Sequence, residues 1–251
     1  PDDPAFSGFV FKIQANMNPK HRDRVAFIRV VSGCFRRDMV AHHVRLGKTV
    51  RLGNSQRLFA QDRETVDEAW AGDVVGIVGN YDFLIGDIVS GDATIADHET
   101  PRFAPECVAY RRNSSTANFK RFREGLDQLL KEGVAQAFEL PDSLQRVPLL
   151  GAVGPLQFEV MQYRLESEYS ADCRVESASW QFVRWPLDKS TGAPILERPD
   201  LMLPTGCVLA MDSFGQWVVL LPSSWTASYL EEKNSAYAFI PTPPSAQPAV
   251  D

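Results

Sequence analysis

The residues best suited to chemistry in this chain are cations. Lys20, His21, Arg22 and Arg24 fall within five consecutive positions around Asp23, and Arg36-Arg37 follows at a later turn. Positive side chains gathered on loops neutralise phosphates, giving a nucleic-acid affinity that falls with salt and depends little on base sequence. The competing reading is a solvated loop whose cations pair internally with Asp23 and Asp38. Residues 1–60 carry 11 Lys and Arg against 4 Asp and Glu, net +7, whereas the remainder is net -13 and the whole chain -6. That split describes an anion-facing module joined to an acidic one, and charge alone leaves both readings of the cluster open.

Other chemistries lack their residues. There is no G-x-x-x-x-G-K-[ST] phosphate loop, no G-x-S-x-G elbow and no H-E-x-x-H helix. Gly151-Ala152-Val153-Gly154 precedes a predicted helix but has neither the lysine nor the full dinucleotide spacing, so it reads as a tight strand-to-helix packing turn. His42 and His43 are neighbours on a predicted strand, where side chains alternate faces, so they cannot chelate one metal; they are assigned to a solvated or RNA-facing strand. Glu166 and Glu168, or Glu231 and Glu232, do not face each other on a helix and read as solvated. Cys34, Cys107, Cys173 and Cys207 lie far apart with no CxxC pair, as expected for reduced thiols. No catalytic, cofactor-binding or metal-binding residue is assigned.

The elements that must carry the cations come in two kinds. With 251 residues, 44% hydrophobic and 23% charged, the chain can bury a core, and its length suggests two modest domains. No apolar run approaches a membrane span, and Pro1-Asp2-Asp3-Pro4 has no signal-peptide character. A cytoplasmic protein is expected, and a first residue inside an acidic, proline-containing stretch is what a cut in a linker would leave. Residues 1–91 read as a small β-barrel: Phe9, Phe11 and Ile13 alternate with Val10, Lys12 and Gln14, Val25 to Val31 is a β-branched run, Met39 to Arg45 and Thr49 to Leu52 meet at a Leu46-Gly47-Lys48 turn, and Val74 to Val78 and Phe83 to Val89 are further strands.

Residues 92–104 are polar and aperiodic, the expected linker. From 105 the pattern becomes α+β. Strands are predicted over Glu106 to Arg112, Val134 to Leu140, Val147 to Val153 and Cys173 to Ala178. One helix is predicted from about Ala117 to Glu132, with Phe119, Phe122, Leu126, Leu129 and Leu130 on its core stripe. A second opens at Gly154-Pro155 and runs to about Tyr169. The order β-α-β-β-α-β is the ferredoxin-like split motif, with its core at about 105–178. The domain is expected to continue to about 240 with strands at Phe182 to Trp185, Gly206 to Met211 and Trp217 to Leu221 and a helix at Ser223 to Lys233. Residues 241–251 read as a disordered tail.

The run from Phe6 to Phe27 (F-S-G-F-V-F-K-I-Q-A-N-M-N-P-K-H-R-D-R-V-A-F), followed by Arg29-Val30-Val31-Ser32-Gly33, closely resembles the second domain of the bacterial peptide chain release factor 3 family, and its R-V-x-S-G element also looks like the barrel of elongation factor G. Phe103-Ala104-Pro105-Glu106, Gly125-Leu126, Glu132-Gly133, Gln136 and the stretch Gly151 to Val160 with Arg164-Leu165 and Glu168-Tyr169 are similar to the third domain of the same family. The resemblance covers roughly residues 6–186. It departs at Asp38, where a glycine is expected, and at Lys131-Glu132, where paired glutamates are expected.

The resemblance implies domains II and III of a translational GTPase. The intact protein would act on the ribosome in translation termination, promoting departure of the stop-codon-reading class I release factors. GTP or GDP and magnesium would belong to an N-terminal domain absent from this sequence. This piece would dock on ribosomal RNA and proteins, as a monomer and away from membranes, and relay the ribosome's state. Lys20, His21, Arg22, Arg24, Arg36 and Arg37 are the expected ribosomal RNA contacts. The alternatives are the corresponding domains of another translational GTPase related to elongation factor G, a stand-alone RNA-binding adaptor, and a self-sufficient enzyme, for which no acid, base or metal constellation is visible.

Overall fold

A computed structural model describes residues 3–15, 24–59, 62–79, 81–95, 103–113, 116–143 and 148–244. They form two compact units, whose main parts are the residues through Ile95 and those from Phe103 onward, Lys131–Gly133 excepted. Residues 96–102 of the expected linker and 245–251 of the expected tail lie outside the described residues.

The first unit is all β. Its strands are β1 (Ser7–Ala15), β2 (Arg24–Ser32), β3 (Cys34–Arg36), β4 (Val40–His43), β5 (Lys48–Arg51), β6 (Ser55–Phe59), β7 (Asp62–Thr65), β8 (Glu68–Trp70), β9 (Val74–Gly79) and β10 (Ile88–Ser90). Eight of them make an antiparallel sheet in the order β5-β4-β10-β1-β2-β9-β6-β7, and β3 pairs with β8 in a separate ribbon. One core unites them: Val10 and Ile13 of β1, Ile28 and Val30 of β2, Ile77 of β9 and Val89 of β10 meet Phe35 of β3 and Ala69 of β8. The sheet is a half-barrel that the ribbon closes. The polar strands β6 and β7 and the three-residue strands β3 and β8 carry no apolar alternation, so sequence periodicity does not reveal them.

Strand β1 departs from the expected alternation. Its register against β2 shifts between Val10 and Lys12, so Val10 pairs with Ile28 and Lys12 with Phe27. The extra residue is a β-bulge, which reverses the parity of the strand beyond it. Val10 and Ile13 are both buried, whereas Phe11, expected in line with Phe9 and Ile13, is 42% exposed. The Ser32-Gly33 element ends β2 for a physical reason. The Ser32 hydroxyl donates to the Ala5 carbonyl at 2.8 Å, and Gly33 has φ +63° with the Ala5 carbonyl carbon 2.6 Å from where a Cβ would stand. Only glycine fits that approach.

Phe83 to Val89 is mostly a turn rather than a strand, and a buried carboxylate organises it. Asp87 accepts from the Leu84 backbone N–H at 2.7 Å, from Arg45 Nε at 2.6 Å and from His43 Nε2 at 2.8 Å. The Leu46 N–H donates to His43 Nδ1, so the proton on this ring is assigned to Nε2. His43 is therefore inside, stacked on Phe83, and not on a solvated or RNA-facing surface. Its neighbour His42 does take the opposite face, as the strand period requires.

The second unit starts with β11 (Cys107–Asn113), α1 (Phe119–Lys131), β12 (Gln136–Glu139), β13 (Leu149–Ala152), α2 (Pro155–Tyr169) and β14 (Cys173–Ser177). Their sheet order, β14-β11-β13-β12, is that of the ferredoxin-like split motif. Phe122, Leu126 and Leu129 of α1 and Phe158, Met161 and Leu165 of α2 cover one face. Phe119 is a correction: it opens α1 before the core begins and is 58% exposed. Gly151 is a packing glycine, since a Cβ there would come within 2.7 Å of the Phe138 ring and 2.8 Å of Pro105.

The chain then extends the same sheet. Strands β15 (Phe182–Asp188), β16 (Val208–Asp212), β17 (Trp217–Leu221) and β18 (Tyr237–Ile240) add in the order β16-β17-β15-β18 beside β12, and α3 (Ser224–Lys233) precedes β18. Val183, Trp185, Ala210, Val218 and Leu220 pack on Val108, Phe138 and Leu149, covering the face that α1 and α2 leave open. Trp217, Val219 and Leu221 point the other way, to Ala227 and Leu230 of α3 and Phe239 of β18. Pro244 is buried and accepts from the Gln216 amide at 3.4 Å, so the chain is held past the expected start of the tail at residue 241.

Arg111 of β11 is fully buried. Its Nη2 donates to the Phe158 carbonyl at 2.5 Å and its Nη1 to Cys173 Sγ at 3.3 Å, while Nε has no partner. Burial holds its pKa below the usual guanidinium value. A buried cation with no carboxylate in ion-pair contact is a poor source of stability, so an apolar side chain of similar volume should serve as well. Arg111→Met is expected to leave the thermal midpoint unchanged or higher, whereas Arg111→Ala opens a cavity and should cost about 3 kcal/mol in denaturant unfolding.

Asp87 makes the opposite prediction. Burial raises its pKa, but the hydrogen bonds from Arg45, His43 and Leu84 outweigh that and hold it below the ordinary 3.8. A carboxylate with a depressed folded pKa stabilises the fold above its unfolded value, and the contribution fades as pH falls through the folded one. Asp87→Asn should cost about 3 kcal/mol at neutral pH and flatten the acid limb of a pH–stability curve below about pH 4.

Candidate functional site

Of the six predicted contacts, Arg24, Arg36 and Arg37 fall among the described residues. Lys20, His21 and Arg22 lie outside the described residues. Arg24 begins β2, opposite Ala15 on one side and Gly79 on the other, and is only 8% exposed. Burial of this degree leaves Arg24 little surface to offer the phosphate backbone that the sequence reading assigned to it.

Arg36 and Arg37 are exposed at the turn after β3, and both have carboxylate neighbours. Strand pairing sets Arg36 opposite Glu68, and Arg36 Nε sits 3.4 Å from Glu68 Oε1. Arg37 lies 3.5 Å from Asp67 and 4.0 Å from Asp38, and Arg51 reaches Asp38 at 3.3 Å. Asp38 adopts φ +63°, the left-handed conformation that explains the glycine expected at this turn; aspartate tolerates it and turns its carboxylate to the arginines. These exposed pairs are each worth at most about 1 kcal/mol, so phosphate can replace a carboxylate, but the local field is close to neutral.

A different face of the barrel carries cations without carboxylates. The bulge turns Phe11 and Lys12 outward together, beside Phe27, Arg29 and Val31 of β2. Lys12 Nζ stands 5.5 Å above the Phe27 ring centroid, and Phe11 and Phe27 lie 6.3 Å apart. Among the described residues neither Lys12 nor Arg29 is within ion-pair distance of a carboxylate. An exposed ring and a half-buried one, interleaved with unpaired cations, suit a polyanion with stacking groups. Sequence reading missed this face because alternation put Phe11 in the core; only the bulge, which leaves no periodic signal, brings it out.

Among its described residues the second unit brings no reactive side chains together. Burial pushes the Cys107, Cys173 and Cys207 thiols up, away from thiolate chemistry at neutral pH. Among the described residues no group of three His, Cys, Asp or Glu converges as metal ligands. No described helix is long and apolar enough to cross a membrane.

Comparison with known proteins gives these units relatives. Residues 98–231, more than half of the chain, match the family "Class II release factor RF3, C-terminal domain", and residues 5–92 match "Elongation factor G domain 2". Curated proteins named peptide chain release factor 3 are similar along almost the whole chain. That of Trichodesmium erythraeum is 43% identical over 234 residues, 93% of this chain and 42% of the relative; that of Synechocystis is 44% identical over 242 residues, 94% and 43%; that of Gloeobacter violaceus is 44% identical over 234 residues, 93% and 43%. A solved protein of Thermus thermophilus shares the fold, with a TM-score of 0.58 at 20% identity over 88% of this chain and 32% of its own. The chain thus spans somewhat over two fifths of the curated relatives it matches, and with both of its units accounted for it belongs to the peptide chain release factor 3 family.

Proposed function

We propose that this chain is the ribosome-docking and signal-relay part of a bacterial translation termination factor, with a barrel domain over residues 1–91 and an α+β domain over 105–240. The observation that carries the docking role is the outward face of β1 and β2, where Phe11, Lys12, Phe27 and Arg29 offer rings and unpaired cations side by side. Ribosomal RNA presents phosphates and bases to such a face, and each neutralised phosphate adds to the salt dependence of binding. Lys20, His21 and Arg22 belong to the proposed contact through their charge, and Arg36 and Arg37 in a lesser role because they already face carboxylates. Arg24 is reassigned to the barrel's interior.

On this reading the guanine nucleotide chemistry of the intact factor lies outside these two domains. The sequence has no phosphate loop, and GTP or GDP and the metal would be held by another domain. Cytoplasmic location, a monomeric state and interplay with class I release factors follow from the same reading. A relay needs contacts that differ between two ribosome or nucleotide states, because only differential binding couples one site to another.

Co-sedimentation with ribosomes across a salt series of about 50 to 200 mM tests the docking face. Lys12→Glu with Arg29→Glu should lower affinity by about 10- to 100-fold and reduce the slope of log affinity against log salt by about 2. Lys20→Glu with Arg22→Glu should act in the same direction, and Arg36→Glu with Arg37→Glu more weakly. Unchanged affinity and slope in the first two pairs would overturn the assignment.

A further inference from the structure

Helix α2 is apolar on two sides. Its inner side sends Phe158, Met161 and Leu165 into the core beneath the sheet. On the outer side Leu156, Val160 and Tyr163 succeed one another at spacings of four and three residues, which aligns them along the helix, and they are 67%, 44% and 71% exposed. Val153, just before the helix, is exposed as well. A helix that only roofs a sheet carries polar residues on its outer face. A continuous row of exposed apolar side chains is the mark of a contact surface.

The charges beside the row say what it would accept. The helix holds three glutamates and one arginine. Arg164 lies against Glu168, with Nε to Oε1 at 2.7 Å and Nη2 to Oε2 at 3.0 Å, so that flank is neutral. Glu159 and Glu166, seven residues apart on the other flank, make no ion pair among the described residues: Glu166 accepts from the neutral Gln162 amide at 3.0 Å and feels only the buried Arg111 guanidinium from beneath the helix. The apolar row is edged by negative charge. We propose that the outer face of α2 docks a basic polypeptide segment, which lays apolar side chains along Leu156, Val160 and Tyr163 and sets Lys or Arg against Glu159 and Glu166. The same glutamates repel a nucleic acid, and a second copy of the helix would bring glutamate toward glutamate. This site is separate from the RNA-facing barrel and stands or falls independently of it.

A probe peptide tests it directly with the full chain. One helical peptide of about 16 residues carries leucines at i, i+3, i+4 and i+7 and lysines elsewhere; its counterpart carries glutamates in place of the lysines. Fluorescence anisotropy should detect binding of the lysine peptide alone. Leu156→Ser with Tyr163→Ser should weaken it by about 10-fold or more, and Glu159→Gln with Glu166→Gln several-fold, the positions being exposed and the variants checked for native melting. A benzophenone amino acid at position 163 should crosslink to the lysine peptide, which keeps the test decisive even if a serine variant misfolds. Equal binding of both peptides, undiminished binding to well-folded variants, or crosslinking of a single-stranded oligonucleotide at position 163 would overturn the proposal.

Discussion

Water has to be kept from both faces of one sheet, and the second unit is arranged around that requirement. A split βαβ motif covers one face with its two helices and leaves the other bare. Here the bare face carries Val108, Phe138 and Leu149, large enough that exposing them would forfeit about 1.5 to 3 kcal/mol apiece. The strands beyond Trp180 close it, and in doing so acquire an outer face that needs α3 and β18. The five residues of β17 are accordingly all apolar and all buried, as expected of a strand covered on both sides. The stretch that the sequence shows only as an extension of the split motif is the second half of the core.

The barrel solves a different problem with polar groups. Its turn before β10 runs close to β4 and exposes backbone donors to an interior without water. Asp87 satisfies the Leu84 N–H and fixes a histidine and an arginine at the same time. Buried polar groups that are fully partnered specify one arrangement of the chain, because every displaced member would be left unpaired. The Arg36–Arg37 turn is the exposed contrast: its carboxylates sit in water and hold their arginines loosely.

Much of this was legible residue by residue. Gly154-Pro155 announced α2, the Trp217 to Leu221 run announced β17, and the β-α-β-β-α-β order was readable because each element carries its own period and its own stop signal. What escaped had no local signal. Strands β6 to β8 are short or polar and exist because neighbours pair with them; β18 depends on β15. The inward turn of His43 follows from an aspartate 44 residues away, and the burial of Arg24 from its place between β1 and β9. The candidate site was read as a cationic barrel surface, but Lys12 and Arg29 were missed because charge counting looks for clusters in sequence, whereas strands assemble them across register.

The bulge in β1 also makes that strand unequal in its tolerance of length change. Val10 and Ile13 both face the core with two residues between them, where a regular strand would have one. Losing Phe11 would leave Val10, Lys12 and Ile13 alternating inward, outward, inward, so the core on either side would keep its parity. Losing a residue beyond Ile13, or gaining one between Gly8 and Val10, would instead turn part of the strand inside out. The Phe11–Lys12 pair is thus where evolution could shorten β1 by one residue without rebuilding the barrel, at the expense of one of the two outward side chains that the extra residue provides.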